Sequence, residues 1–224
     1  MTEPADAPDS GLQTEDFLSS VFSNPINGLL MQRLSRLALP DGHLCAGCLF
    51  QAHWNRLSGR PADWGIKDYD VFYFDDQDLS WEAEDSVIQQ AQALVADLGV
   101  TVELRNQARV HLWYPQRFHQ PYPRLRNARD GIDRYLIRCT CVGIEIHSGT
   151  LYAPDGLAEL HAGRLRMNPL LPNPELFRRK AQSYQIRWPW LQILDEGEGL
   201  PAMALKSDPP AAGGSLSATP RGRA

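Results

Sequence analysis

Asp68 and Asp70 stand two residues apart around the head of an aromatic and β-branched run, Tyr69-Asp-Val-Phe-Tyr-Phe74. Side chains alternate along a strand, so both carboxylates project from one face. Two carboxylates held together repel unless a cation bridges them. Mg2+ (or Mn2+) suits such a pair, because it takes oxygen ligands, commonly one or two carboxylates plus substrate phosphates. Upstream, Ala46-Gly47-Cys48 marks a strand-to-helix turn. A glycine there lets backbone approach a ligand, and the amides of a helix N-terminus favour phosphate. Downstream, Glu103 falls in a second expected strand. Three acids on adjacent strands opposite a phosphate-binding turn could hold the two metals of a phosphoryl-transfer site, with Asp68, Asp70 and Glu103 as ligands. Each signal alone also has an ordinary reading. Asp75, Asp76 and Asp78 show how freely this region uses turn aspartates, and Glu103 could face solvent from an edge strand.

Other side chains could join that chemistry. Arg105 and Arg109 follow Glu103 closely, and an arginine there could clamp phosphates or offset charge developing in transfer. Asn106 and Gln107 read better as hydrogen-bonding residues that hold a loop. His111 beside Trp113 and His53 beside Trp54 could act as bases, but each fits a satisfied core histidine better. Cys45 and Cys48, with Cys139 and Cys141, could supply four thiolates to zinc. The second pair lies in a strand-like run, which favours buried structural thiols. Trp188-Pro-Trp190 reads as a hydrophobic clasp.

These residues need elements to position them. Helical periodicity starts after Thr14, a plausible N-cap, continues through Ile26, Leu29, Leu30, Leu34 and Leu37, and stops at Pro40. After a short stretch from His43, a helix with Leu49, Phe50, Trp54 and Leu57 on one face is closed by Gly59. The strand Tyr69–Phe74 follows. Ser80 caps a helix whose stripe runs from Val87 to Leu98 and ends at Gly99. Val100–Leu104, Val110–Tyr114, Tyr135–Ile146 and Thr150–Tyr152 read as strands, and short helices are expected near Asp155–Leu160 and Pro174–Tyr184. This alternation predicts an α+β sheet domain.

The chain has 224 residues, 43% of them hydrophobic, enough for one buried core. Residues 1–13 and 203–224 read as disordered tails around a single domain at 14–202. No apolar run approaches the length needed to span a bilayer, and the acidic, Pro-rich start is unlike a secretory leader. A cytoplasmic location with reduced cysteines and no membrane partner is the expectation. The net charge of −5 does not attract nucleic acid overall. Locally, the stretch from Leu104 to Arg138 carries eight arginines against two aspartates, a surface that could face phosphates.

The order of glycine turn, helix, Asp-x-Asp strand, helix and acidic strand resembles the nucleotidyltransferase fold of the DNA polymerase β superfamily. More closely, the chain resembles a bacterial nucleotidyltransferase-like family. The matching segments are Ala46-Gly47 with Trp54, Asp68-Tyr-Asp-Val-Phe-Tyr-Phe-Asp75 and Glu103-Leu-Arg-Asn-Gln-Ala-Arg-Val-His-Leu-Trp113. Shorter ones are Cys141-Val-Gly-Ile144, Tyr152-Ala-Pro-Asp-Gly-Leu157 and Arg166-Met-Asn-Pro169. The resemblance implies a mixed β-sheet flanked by helices in a single α+β domain. It implies Asp68, Asp70 and Glu103 as the catalytic, metal-binding triad and Gly47 in the nucleotide-binding turn. Cys48, Arg105 and Arg109 complete the expected nucleotide site.

The activity so implied is transfer of a nucleotidyl group from an NTP to a hydroxyl, with release of pyrophosphate. The acceptor is an RNA end, a protein or a small molecule. The chain departs from the pattern in three places: Cys48 where a serine is usual, Phe50 and Gln51 where the family tends to have a basic and an amide residue, and Glu103 for an aspartate. The cysteine favours an alternative, a nucleotide-binding module of the same fold without transfer activity. A zinc-bound interaction protein organised by its cysteines is the third reading.

Overall fold

The computed structural model describes residues 10–194, so the expected C-terminal tail and residues 1–9 lie outside the described residues. Helix α1 (Ser10–Phe22) begins a turn before Thr14. The periodicity that reads as unbroken to Pro40 is divided. Asn24 accepts a hydrogen bond from the Ile26 amide at 3.1 Å and so caps α2 (Pro25–Leu34). Pro25 takes the first helical position, where its missing N–H has no partner to lose. After β1 (His43–Cys45) come α3 (Gly47–Leu57), β2 (Asp68–Tyr73), α4 (Trp81–Val95) and β3 (Thr101–Asn106). Ser80 caps α4 as expected, accepting from the Ala83 amide at 3.2 Å.

The next segment corrects an expectation. Val110–Tyr114 is the start of helix α5 (Val110–Phe118), not a strand. The Asn106 side chain accepts from the Ala108 amide at 3.1 Å, winding Gln107–Arg109 into a 3-10 turn that runs directly into α5. That local turn outweighs the strand propensity of valine and the aromatics. Helix α6 (Ala128–Ile132), β4 (Gly143–Glu145), β5 (Leu151–Tyr152), α7 (Ala158–His161), β6 (Arg164–Arg166), α8 (Pro174–Arg187) and β7 (Gln192–Leu194) complete the chain. Of the strand expected from Tyr135, β4 is the part that joins the sheet, while Ile137 makes an isolated antiparallel bridge to Met167. Thr140 Oγ1 donates to the Ile137 carbonyl at 2.7 Å, and that bond closes a 3-10 turn over Arg138–Thr140.

Five strands form one mixed sheet in the order β3-β2-β1-β4-β5. β2 and β3 are parallel, with α4 as their crossover, and the other neighbours are antiparallel. β6 and β7 make a separate parallel pair. This is the α+β architecture expected, built as a single domain. Among the described residues no helix is long and apolar enough to cross a membrane.

Alternation along β2 separates two environments. Tyr69, Val71 and Tyr73 enter the large core with Leu44, Leu104, Ile144 and the helices α1 to α4 and α8. Phe72 on the opposite face joins a small cluster with Cys45, Ala128, Ile132 and Cys141. Asp68 and Asp70 belong to that second face. Edge-to-face aromatic contacts anchor α8 to α3. Trp54 lies 5.3 Å from Trp188 and 5.6 Å from Tyr184, ring centre to ring centre, and the Trp188 indole N–H donates to Asn55 at 3.0 Å. The clasp expected at Trp188–Trp190 is therefore real, with Trp190 donating to the Ser58 hydroxyl at 2.9 Å. His53 is also the buried histidine expected. Burial, with His161 adjacent, pushes its pKa down to about 4, so its ring is neutral at neutral pH.

The ends of β2 and β3 are locked by a polar network. Asn106 accepts from the Asp75 amide at 3.0 Å and donates to the Asp75 carbonyl at 2.7 Å. Glu84 of α4 accepts from the Asn106 amide at 2.8 Å and pairs with Arg109, and both charges are buried. Arg109 Nε also donates to the Leu79 carbonyl at 2.9 Å.

Backbone strain sits at the entrance to α3. Ala46 has φ 60° and ψ −132°, a region that favours glycine. The sequence suggests Gly47 as the permissive residue, but the positive φ falls one position earlier.

Two outcomes follow for stability. Arg109→Met strands the buried Glu84 charge and lowers unfolding free energy in urea by about 3–5 kcal/mol. Unchanged stability with loss of phosphate binding would instead restore Arg109 to a phosphate clamp. Ala46→Gly relieves strain that exceeds the entropic cost of glycine, raising stability by about 1 kcal/mol. A marked loss of stability in that variant would contradict the strain assignment.

Candidate active site

The parallel register sets Asp70 directly beside Glu103, Asp68 beside Thr101, and Phe72 beside Arg105. Because register partners share a face, Asp68, Asp70, Glu103 and Arg105 all emerge on the sheet face away from the main core. Glu103 is buried at 4% exposure, and the two aspartates are half-buried. Strand pairing, rather than any loop, brings these acids to one face of the sheet.

Crowding like charges has a cost that is visible in the titration of the centre of the group. Burial first, then Asp68 and Glu103, push the Asp70 pKa up to about 7, against the opposing pull of Lys180 and Arg105. Burial also raises Asp68, while Lys180 and Lys67 work the other way. The trio does not belong to the sets whose ligand atoms all lie within 4.8 Å of one another. The donor set fits a hard divalent cation, since carboxylate oxygens are its preferred ligands and its charge would offset the repulsion among them.

The β1 ladder ends at the Cys45–Asp70 pair, and the chain turns at Ala46 straight into α3. Gly47 thus opens a helix two residues past the partner of Asp70. Ala46 provides no side-chain cap, so the helix N-terminus keeps the amide polarity that attracts anions. Gln51 lies over this turn. A Cβ on Gly47 would sit 2.6 Å from Gln51 Nε2, so the glycine makes room for the amide rather than supplying φ freedom. Arg187 of α8 donates to Gln51 Oε1 at 2.8 Å and to the Gly65 carbonyl at 3.3 Å. Its guanidinium lies 4.4 Å from the Trp188 ring centre.

Lys180 is the residue that sequence reading missed. It lies two turns before Arg187 on α8, with its ammonium 5.9 Å from the Tyr184 ring, and its charge acts on both Asp68 and Asp70. Positions 180, 184 and 187 fall on one helical stripe. That spacing was readable, but its approach to acids more than a hundred residues earlier was not.

Other expected members are not brought to the acids. Arg109 is committed to Glu84 and the Leu79 carbonyl. Cys48 is fully buried, with its thiol donating to the Cys45 carbonyl at 3.3 Å rather than pointing from the turn. Burial pushes all four thiols up, which keeps them protonated. The four are free and buried, and among the described residues they form no ligand cluster, so the thiolate zinc site is not built. His111 is half-buried on α5.

Comparison with known proteins agrees with this fold. A family model described as nucleotidyltransferase matches residues 32–193. A solved NMR structure reported to reveal a CCA-adding enzyme head domain superimposes with a TM-score of 0.66 at 25% identity. The match covers 82% of this chain and 96% of that one. No curated protein matches the sequence. The matched span holds the glycine turn, both acidic strands and α8, and the chain belongs to the nucleotidyltransferase family.

Proposed function

We propose that the protein transfers a nucleotidyl group from an NTP to a hydroxyl acceptor, with Asp68, Asp70 and Glu103 holding Mg2+ or Mn2+. The observation that carries this reading is the register pairing of Asp70 with Glu103 on a face shared with Asp68. A cation bound there would supply charge to the triphosphate and the departing pyrophosphate and lower the pKa of the attacking hydroxyl. The remaining work belongs to the side chains. Lys180 and Arg187 offer positive charge from α8 to the β- and γ-phosphates, and Arg105 offers it from β3. Gln51 must turn aside from Gly47 for a phosphate to reach the α3 amides, which couples substrate entry to the Gln51–Arg187 bond. Glu103, nearly excluded from water, is suited to take the acceptor proton as oxygen bonds to the α-phosphorus and pyrophosphate leaves.

A second reading keeps the fold and the nucleotide but not the transfer. It is favoured by the burial of Cys48, which leaves the turn without the hydroxyl usual in this family. The two readings separate in one assay, using α-labelled NTPs, Mg2+ and an RNA with a free 3′ hydroxyl. The transfer reading expects labelled RNA and pyrophosphate, a fall of at least about 100-fold in Asp70→Asn, and a KM raised about tenfold in Lys180→Met. Metal-dependent NTP binding without pyrophosphate release on any acceptor offered favours the binding module. Transfer at the wild-type rate in Asp70→Asn would remove that residue from the site.

A further inference from the structure

Asp16, His53 and His161 lie away from the sheet acids, on three different helices. One ligand atom from each lies within 4.8 Å of the other two. His53 comes from α3, Asp16 from α1 and His161 from the last position of α7. His53 Nε2 and His161 Nδ1 are 3.2 Å apart.

The hydrogen bonds around Ser20 fix which nitrogen of His53 carries the proton. The Ser20 hydroxyl has one hydrogen, and it is given to the Asp16 carbonyl at 2.7 Å. Arg56 Nε donates to the Ser20 hydroxyl oxygen at 2.6 Å. The remaining contact, 2.9 Å from His53 Nδ1, therefore has the hydroxyl as acceptor and Nδ1–H as donor. In the neutral ring this leaves Nε2 with its lone pair directed at His161. A histidine whose outer N–H is anchored while the other nitrogen is presented is the arrangement found around ligated metals. Phe17 packs 5.4 Å from the ring and helps hold its plane. Arg56 pairs with the Asp16 carboxylate and orients it.

We propose that Asp16, His53 and His161 form a binding site for a zinc-class transition-metal ion that ties α1 and α7 to α3. Two imidazole nitrogens and one carboxylate oxygen are a set that suits Zn2+ and disfavours Mg2+. His161 is exposed, which leaves a fourth position to water. The ion takes the lone pair of His161 Nδ1 in the tautomer that carries the ring proton on Nε2, so the proton moves from one nitrogen to the other and none is lost. The ion stiffens the attachment of α3, the helix whose N-terminus carries the Gly47 turn. The site is chemically separate from the carboxylate trio, and its existence does not rest on transfer activity.

The test uses the full-length, chelator-stripped protein with Zn2+ alone, followed by calorimetry and thermal melting, and with Co2+ as a spectroscopic probe. One Zn2+ binds per chain and raises Tm, and Co2+ gives visible bands of low-coordinate nitrogen and oxygen ligation. His161→Ala removes an exposed side chain, leaves the fold intact, and abolishes both the Tm rise and the bands. Asp16→Asn weakens binding at least about tenfold, and Ser20→Ala, which frees the His53 tautomer, does so by about 10–100-fold. Asp70→Asn keeps the site. No stoichiometric Zn2+, binding undiminished in His161→Ala, or binding lost in Asp70→Asn would overturn the proposal.

Discussion

The repulsion among three carboxylates on one sheet face is the constraint around which the rest of the molecule is arranged. Asp70 stands between Asp68 and Glu103, and burial together with those two neighbouring charges pushes its pKa up to about 7. A strand tolerates such a row because its other face is paid for by burial. Tyr69, Val71 and Tyr73 each enter the main core between the acids and beyond them. Removing that alternation would leave β2 no means of staying in the sheet while presenting acids. The parallel pairing with β3 is equally necessary, since a one-residue slip would send Glu103 into the apolar core.

The supports of this arrangement lie around it rather than in it. Glu84, Arg109 and Asn106 tie α4 and the strand ends together, which fixes the register that sets Asp70 beside Glu103. On the other side, the edge-to-face cluster of Phe50, Trp54, Tyr184 and Trp188 holds α8 against α3. That contact brings Lys180 and Arg187 to the acids and the glycine turn. Hydrophobic packing thus delivers the positive charge, and a buried ion pair delivers the alignment of the negative charge. The strained Ala46 lies at the turn from β1 into α3, one residue past Cys45, the register partner of Asp70.

Much of this was legible in the sequence because it is local. The Asp-x-Asp spacing, the strand propensity between the acids, the Ser80 cap and the Gly99 stop all depend on a few neighbouring residues. Glu103 was legible as a third acid because parallel strands joined by one helix return to the same sheet. The run from Asn106 to His111 was recognisable as a distinctive segment, but its helix was not, because a side-chain hydrogen bond from Asn106 decides it. The break at Asn24 was hidden by apolar spacing that survives across two helices. Arg109 read as a phosphate clamp because its partner, Glu84, lies on another element. Lys180 and the Asp16–His53–His161 group were illegible for the same reason: nothing in the spacing of distant positions says which helices will touch.

In the proposed function, nucleotide and metal meet at the Asp68–Asp70–Glu103 face. Calorimetry of ATP binding, with and without Mg2+, on the wild type and on Asp70→Asn tests it most directly. Binding should require Mg2+ in the wild type and be lost in the variant while its thermal unfolding remains cooperative. Equal ATP affinity in the wild type and a folded Asp70→Asn, whether or not Mg2+ is present, would contradict it.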